Sequence, residues 1–100
     1  MVNDNMTVEI AKQDDNNSTV FYGALTDTCG RSPMQLRFKV EAEEEEGGNW
    51  VILNIETLDP MCREQVDYLA SKEAAEIMSE DMGNIVWKKM VKQAFANQTK

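Results

Sequence analysis

Between Met34 and Glu41 the chain alternates without a break. Met34, Leu36, Phe38 and Val40 share one parity; Gln35, Arg37, Lys39 and Glu41 share the other. Side chains of an extended strand point to opposite faces in turn, so this run predicts a half-buried β-strand and not an amphipathic helix. It ends in Glu43 to Glu46 and then Gly47-Gly48. Adjacent like charges disfavour further pairing, and two glycines permit a reversal, so the glutamates are expected at the tip of a hairpin. The run "NWVILNIET" follows as a further strand, with Val51, Leu53 and Ile55 on one parity and Trp50 and Ile52 on the other.

Two strands are predicted upstream. Met6, Val8 and Ile10 alternate with Thr7, Glu9 and Ala11, and "QDDNNS" then supplies a cluster of turn formers. "TVFYGALT" is partly apolar on both parities, which predicts a central strand. "DTCGRSP" reads as a loop, because Gly30 and Pro33 break pairing.

The period changes after Thr57. Asp59-Pro60 is a helix-start signal, since aspartate caps free N–H groups and proline suits the first helical position. Cys62, Val66 and Leu69 are expected on one helical face, continued by Ala70, Ala74, Ile77, Met78 and Met82. Ser71 is a candidate interruption. Gly83-Asn84 is expected to stop the helix, and a last helix is predicted from about Asn84 to Ala96. The fold class is therefore α+β: a four-stranded antiparallel meander followed by two or three C-terminal helices packed on one face. One hundred residues with 42% apolar content make residues 1–100 a single domain with one modest core.

The net charge of −8 is unevenly spread. Residues 40–81 hold thirteen acids against Arg63 and Lys72, while residues 82–100 hold four lysines and no acid. A duplex-binding domain needs a basic footprint, so direct nucleic-acid binding is not expected. The acidic segment instead points to a basic protein surface as partner. Its candidate binding face is Glu41, Glu43, Glu44, Glu45, Glu46, Glu73, Glu76, Glu80 and Asp81. A second candidate is a seam for an oligomer or partner at Trp87, Met90 and Phe95, on a helix that also carries Lys88, Lys89 and Lys92.

Chemistry is sparsely represented. The chain has no histidine, so neither cysteine has the usual base beside it, and no phosphate-binding glycine loop is present. No catalytic residues, cofactor or metal site are assigned, and the protein is expected not to be an enzyme. "DDNNS" has oxygen-ligand residues but lacks the alternate spacing and glycine of a calcium loop. Cys29 and Cys62 fit no metal spacing and are expected as free thiols, buried or partly so. No apolar run approaches a membrane span, and the N-terminus has no basic region leading into an apolar one, so neither membrane nor secretion is expected. The expected setting is intracellular. The function read from these residues is a non-enzymatic acidic interaction module, with homo-oligomerisation a part of it. The alternative is an inhibitor of the anti-defence or immunity type that mimics nucleic acid and blocks a basic groove.

Two stretches carry a family resemblance. "VEIAKQDDNNSTVFYGALTD" and "LNIETLDPMCREQVDYLA" resemble segments of the mitochondrial acidic matrix protein family, the group of the complement globular-head receptor. The resemblance implies a twisted antiparallel sheet with C-terminal helices, a ring-shaped trimer, a matrix location and a binding or chaperone-like role. The first helix and further strands of that family have no counterpart in these residues. In layout alone the chain is also similar to RWD-type interaction domains of kinetochore complexes.

Overall fold

Four strands form where the alternation predicts them: β1 Met6–Gln13, β2 Val20–Asp27, β3 Met34–Glu44 and β4 Trp50–Thr57. Two helices follow, α1 Arg63–Leu69 and α2 Lys72–Gln98. The computed structural model describes residues 5–30 and 32–98, with side chains as far as Ala96. Asp4, Arg31 and Lys100, which enter the charge balance, lie outside the described residues. The sheet is an antiparallel meander in the order β1-β2-β3-β4, so β1 and β4 are its edges.

Met6, Val8, Ile10, Phe21, Leu25, Leu36, Phe38, Val40 and Ala42 point to one face and form the core with Trp50, Tyr68, Leu69, Ala74, Met78 and Met82. Phe21 meets Trp50 edge-on, with ring centroids 5.1 Å apart. Gly23 sits under this crowd. A Cβ there would run into the Glu9 carbonyl oxygen and the Phe38 ring, so the central strand has to lack a side chain at this point.

Two bulges correct the simple parity reading. Ala11 is the extra residue between Ile10 and Lys12, which turns Gln13 inward. Leu53 is the extra residue between Ile52 and Asn54. Val51, Leu53 and Ile55 therefore do not share a face: Trp50 and Ile52 pack on the core, Leu53 is pushed outward, and Ile55 returns to it opposite Val40. An inserted residue shifts every later side chain to the other face and increases local twist.

The helices also depart from expectation. Asp59 caps nothing; α1 begins at Arg63, its amino end held by Gln65 Oε1 accepting from the Cys62 N–H at 2.9 Å. Its buried residues are Gln65, Tyr68 and Leu69, while Cys62 and Val66 are exposed. Ser71 does divide the helices: its hydroxyl accepts from the Ala74 N–H that opens α2. Gly83-Asn84 does not stop the chain, and the predicted last helix is the second half of one 27-residue α2. At 1.5 Å per residue this helix is about 40 Å long, which accounts for a longest dimension of 52 Å in so small a chain.

α2 lies against both edge strands, so the sheet curls around the core and the helix closes its open side. Two side chains finish those edges. Asp81 Oδ2 accepts from the Ile10 N–H beside the β1 bulge at 3.0 Å, and Ser79 Oγ accepts from the Trp50 N–H of β4 at 3.3 Å. Edge N–H groups left open would invite foreign strands.

Candidate functional site

The β3–β4 hairpin carries the glutamate run, but not as a loose tip. Glu43 and Glu44 belong to β3 and pair with Val51 and Trp50. Only Glu45 and Glu46 lie in the turn, closed by Glu45 N–H donating to Asn49 at 2.7 Å and Gly48 N–H donating to Glu45 at 3.2 Å. Gly47 and Gly48 take φ of 86° and 80°, a left-handed backbone that glycine adopts at least cost. All four glutamates are exposed, and none forms an ion pair among the described residues.

The expected acidic face is brought together only in part. Glu41 and Glu43 share the outer parity of β3 with Arg37 and Lys39, away from the helices. Glu76 and Glu80 of α2 border a shallow groove whose other wall runs from Gly48 to Ile52, next to the hairpin. Glu73 is exposed near the start of α2. Asp81 belongs elsewhere, since its carboxylate is turned to β1 at the opposite edge of the sheet. Glu76 and Glu80 thus lie beside the β4 arm of the hairpin, Glu41 and Glu43 face away from the helices, and Asp81 is a structural acid.

Asp14, Asp27, Asp59 and Asp81 divide from Glu43 to Glu46 by what they touch, which composition alone does not reveal. Asp14 accepts from the Asn16 N–H and the Tyr22 hydroxyl, and these bonds hold its carboxyl below the usual range. Asp27 accepts from Gln65 Nε2 and the Cys29 N–H, with the same effect, and so ties α1 to β2. Asp59 accepts two bonds from the Arg37 guanidinium, at 2.9 and 3.0 Å, and one from the Arg37 N–H, at 2.8 Å; its pKa falls to about 2. Hydrogen bonds to the charged form favour that form. The cations of β3 are consumed in the same way: Arg37 by Asp59, and Lys39 by Glu56 at 3.8 Å.

The second candidate, Trp87, Met90 and Phe95, lies on the part of α2 that continues past the core. These side chains are 64%, 58% and 63% exposed. The lysines do not all lie opposite them toward solvent. Lys89 reaches back to the sheet, where its Nζ donates to Gln13 Oε1 at 2.8 Å, and Gln13 Nε2 donates to the Ser18 carbonyl. Lys88 and Lys92 stay exposed.

Neither cysteine is buried: Cys29 and Cys62 are both exposed free thiols. Cys29 sits in the loop after β2 and Cys62 just ahead of α1, so neither reaches the core. Among the described residues no three Cys, Asp or Glu side chains converge as a metal site requires, and no helix is long and apolar enough to cross a membrane. The "DDNNS" carboxylate of Asp14 is engaged by its own turn. Comparison with protein-family models, curated proteins and solved structures returns no significant match.

Proposed function

We propose that this chain is a non-catalytic protein-interaction module that receives a basic segment of a partner protein at the glutamate hairpin. One contrast carries the reading. Asp14, Asp27, Asp59 and Asp81 each hold part of the fold together, whereas Glu43 to Glu46 are exposed, adjacent and unpaired. Four unscreened carboxylates on a hydrogen-bonded hairpin make a fixed negative field, which steers and retains a basic segment. Val51 faces Glu43 across the hairpin and is exposed, so an apolar contact lies beside the charge. Mimicry of nucleic acid needs carboxylates set in one phosphate-like row. The acids here lie on the outer sheet face, on both sides of α2 and in the turn, and no observation favours that second reading.

The probe is a synthetic lysine- and arginine-rich decapeptide, titrated calorimetrically at low and physiological salt. Binding is expected at low salt and should weaken as salt rises. Reversing Glu43 to Glu46 to lysine should abolish it with the circular dichroism spectrum intact. Equal binding by the reversed variant would overturn the hairpin's role.

A further inference from the structure

We infer that the exposed face of α2 from Glu76 to Lys92, whose first half borders the groove beside β4, is a self-association surface, on which two copies of this chain cross antiparallel about Asn84. The inference does not depend on the hairpin's partner.

Glu76, Glu80, Asn84, Lys88 and Lys92 recur every fourth residue and so form one inclined ridge on the helix surface. All five are exposed. The ridge reads acid, acid, neutral, base, base, and is its own complement when reversed. With Asn84 opposite Asn84 of a second copy, Glu80 meets Lys88 and Glu76 meets Lys92. Two-fold symmetry then repeats both pairs. Two such ridges run parallel when the helices cross at about −50°. An Asn–Asn pair at the centre fixes register as a polar pair does in a coiled-coil seam.

Contacts among the described residues do not account for this pattern. The four charged side chains have no ion pair or hydrogen bond among the described residues. Along the helix Glu76–Glu80 and Lys88–Lys92 are like charges four residues apart, an arrangement that disfavours the isolated helix. The helix dipole rewards acids in the first turn and bases in the last, but these residues lie inside both ends of Lys72–Gln98.

The adjoining ridge supplies the apolar part. It runs Gly83, Trp87, Val91, Phe95. A Cβ on Gly83 would meet nothing within 4 Å, so packing against the described residues does not require a glycine here, in mid-helix, where it weakens the helix. At a crossing, the missing side chain lets a second backbone come close. Trp87, one turn on, then has a surface to cover it. A foreign partner would have to carry the same charge order by coincidence, whereas a second copy supplies it by symmetry.

Sedimentation equilibrium and native mass spectrometry of the purified chain test this. The wild type should show twice the chain mass. K88E/K92E should weaken association on the order of 100-fold, because all four pairs become repulsive. E76K/E80K should do the same. The decisive arm mixes the two variants, in which every facing pair is again opposite in sign, and a heterodimer should form. Circular dichroism checks folding, which exposed positions should not disturb. A wild type that is monomeric or trimeric, a dimer indifferent to either reversal, or a mixture that stays monomeric would each overturn the proposal. The hairpin variants should leave the dimer intact, so the two proposals fail separately.

Discussion

Ala74, Met78 and Met82 of α2 are fully buried against the sheet, while Trp87 and Met90, the next large apolar residues of the same helix beyond Val86, are mostly exposed. Both sets recur at helical spacing. Each residue turns the helix by about 100°, which places the centres of the two stripes about half a turn apart. One helix cannot present both to one sheet. Ile85 and Val86 still pack partly against the core, and Lys89 still reaches Gln13, so the sheet-facing side continues correctly past Gly83. It is the apolar stripe that changes sides. Apolar spacing therefore identifies a helix more securely than it identifies what that helix packs against.

The largest effect should separate the two stripes directly. Met78→Ala removes a fully buried side chain and leaves a cavity, and should cost about 2–5 kcal/mol in urea unfolding. Trp87→Ala removes a larger side chain but should change the stability of the dilute chain by no more than about 0.5 kcal/mol. Comparable losses at the two positions would mean that the second stripe is packed, and the comparison would be broken.

A middle effect concerns what polar groups do on the first half. Asp81→Ala removes the acceptor for the Ile10 N–H at the β1 bulge, and should cost about 1.5–3 kcal/mol, the range for a hydrogen bond to a charged group. Asp81→Asn keeps an acceptor oxygen and should recover most of that. Glu80→Ala, one residue away and exposed, should stay within about 0.5 kcal/mol in the dilute chain. Hydrogen exchange of the Ile10 amide, slow in the wild type and faster in Asp81→Ala, would locate the loss at the edge strand.

The sheet was legible because alternation is a local signal: Leu36, Phe38 and Val40 fall where parity puts them, and the meander follows from four strands with short links. What was not legible depended on neighbours. The bulge at Leu53 arises from fitting β4 to β3, and no residue in β4 announces it. Asp59-Pro60 has the form of a helix start, yet Arg37 of β3 engages both carboxylate oxygens of the aspartate. Gly83-Asn84 looks like a stop, but Gly83 keeps a helical backbone because apolar packing of Met82, Ile85 and Val86 on either side carries the helix through it. In the candidate site, charge counting groups Asp81 with Glu43 to Glu46, although Asp81 serves the Ile10 N–H and the four glutamates face solvent. A carboxylate that serves an edge N–H and one that faces solvent are the same letter in the sequence.

The smallest effect tests the joint between the halves. Gly83→Ala places a Cβ where nothing lies within 4 Å, so the monomer should accept it without strain. Glycine costs a helix interior about 0.5–1 kcal/mol relative to alanine. The variant should therefore raise the thermal stability of the dilute chain by about that amount, because the unfolded chain has less backbone freedom to lose. Self-association should move the other way, since the added methyl stands where two backbones approach. A gain in monomer stability with weaker association would tie the glycine to the crossing. A gain in stability with unchanged association would leave the glycine outside the contact and count against a crossing at Asn84.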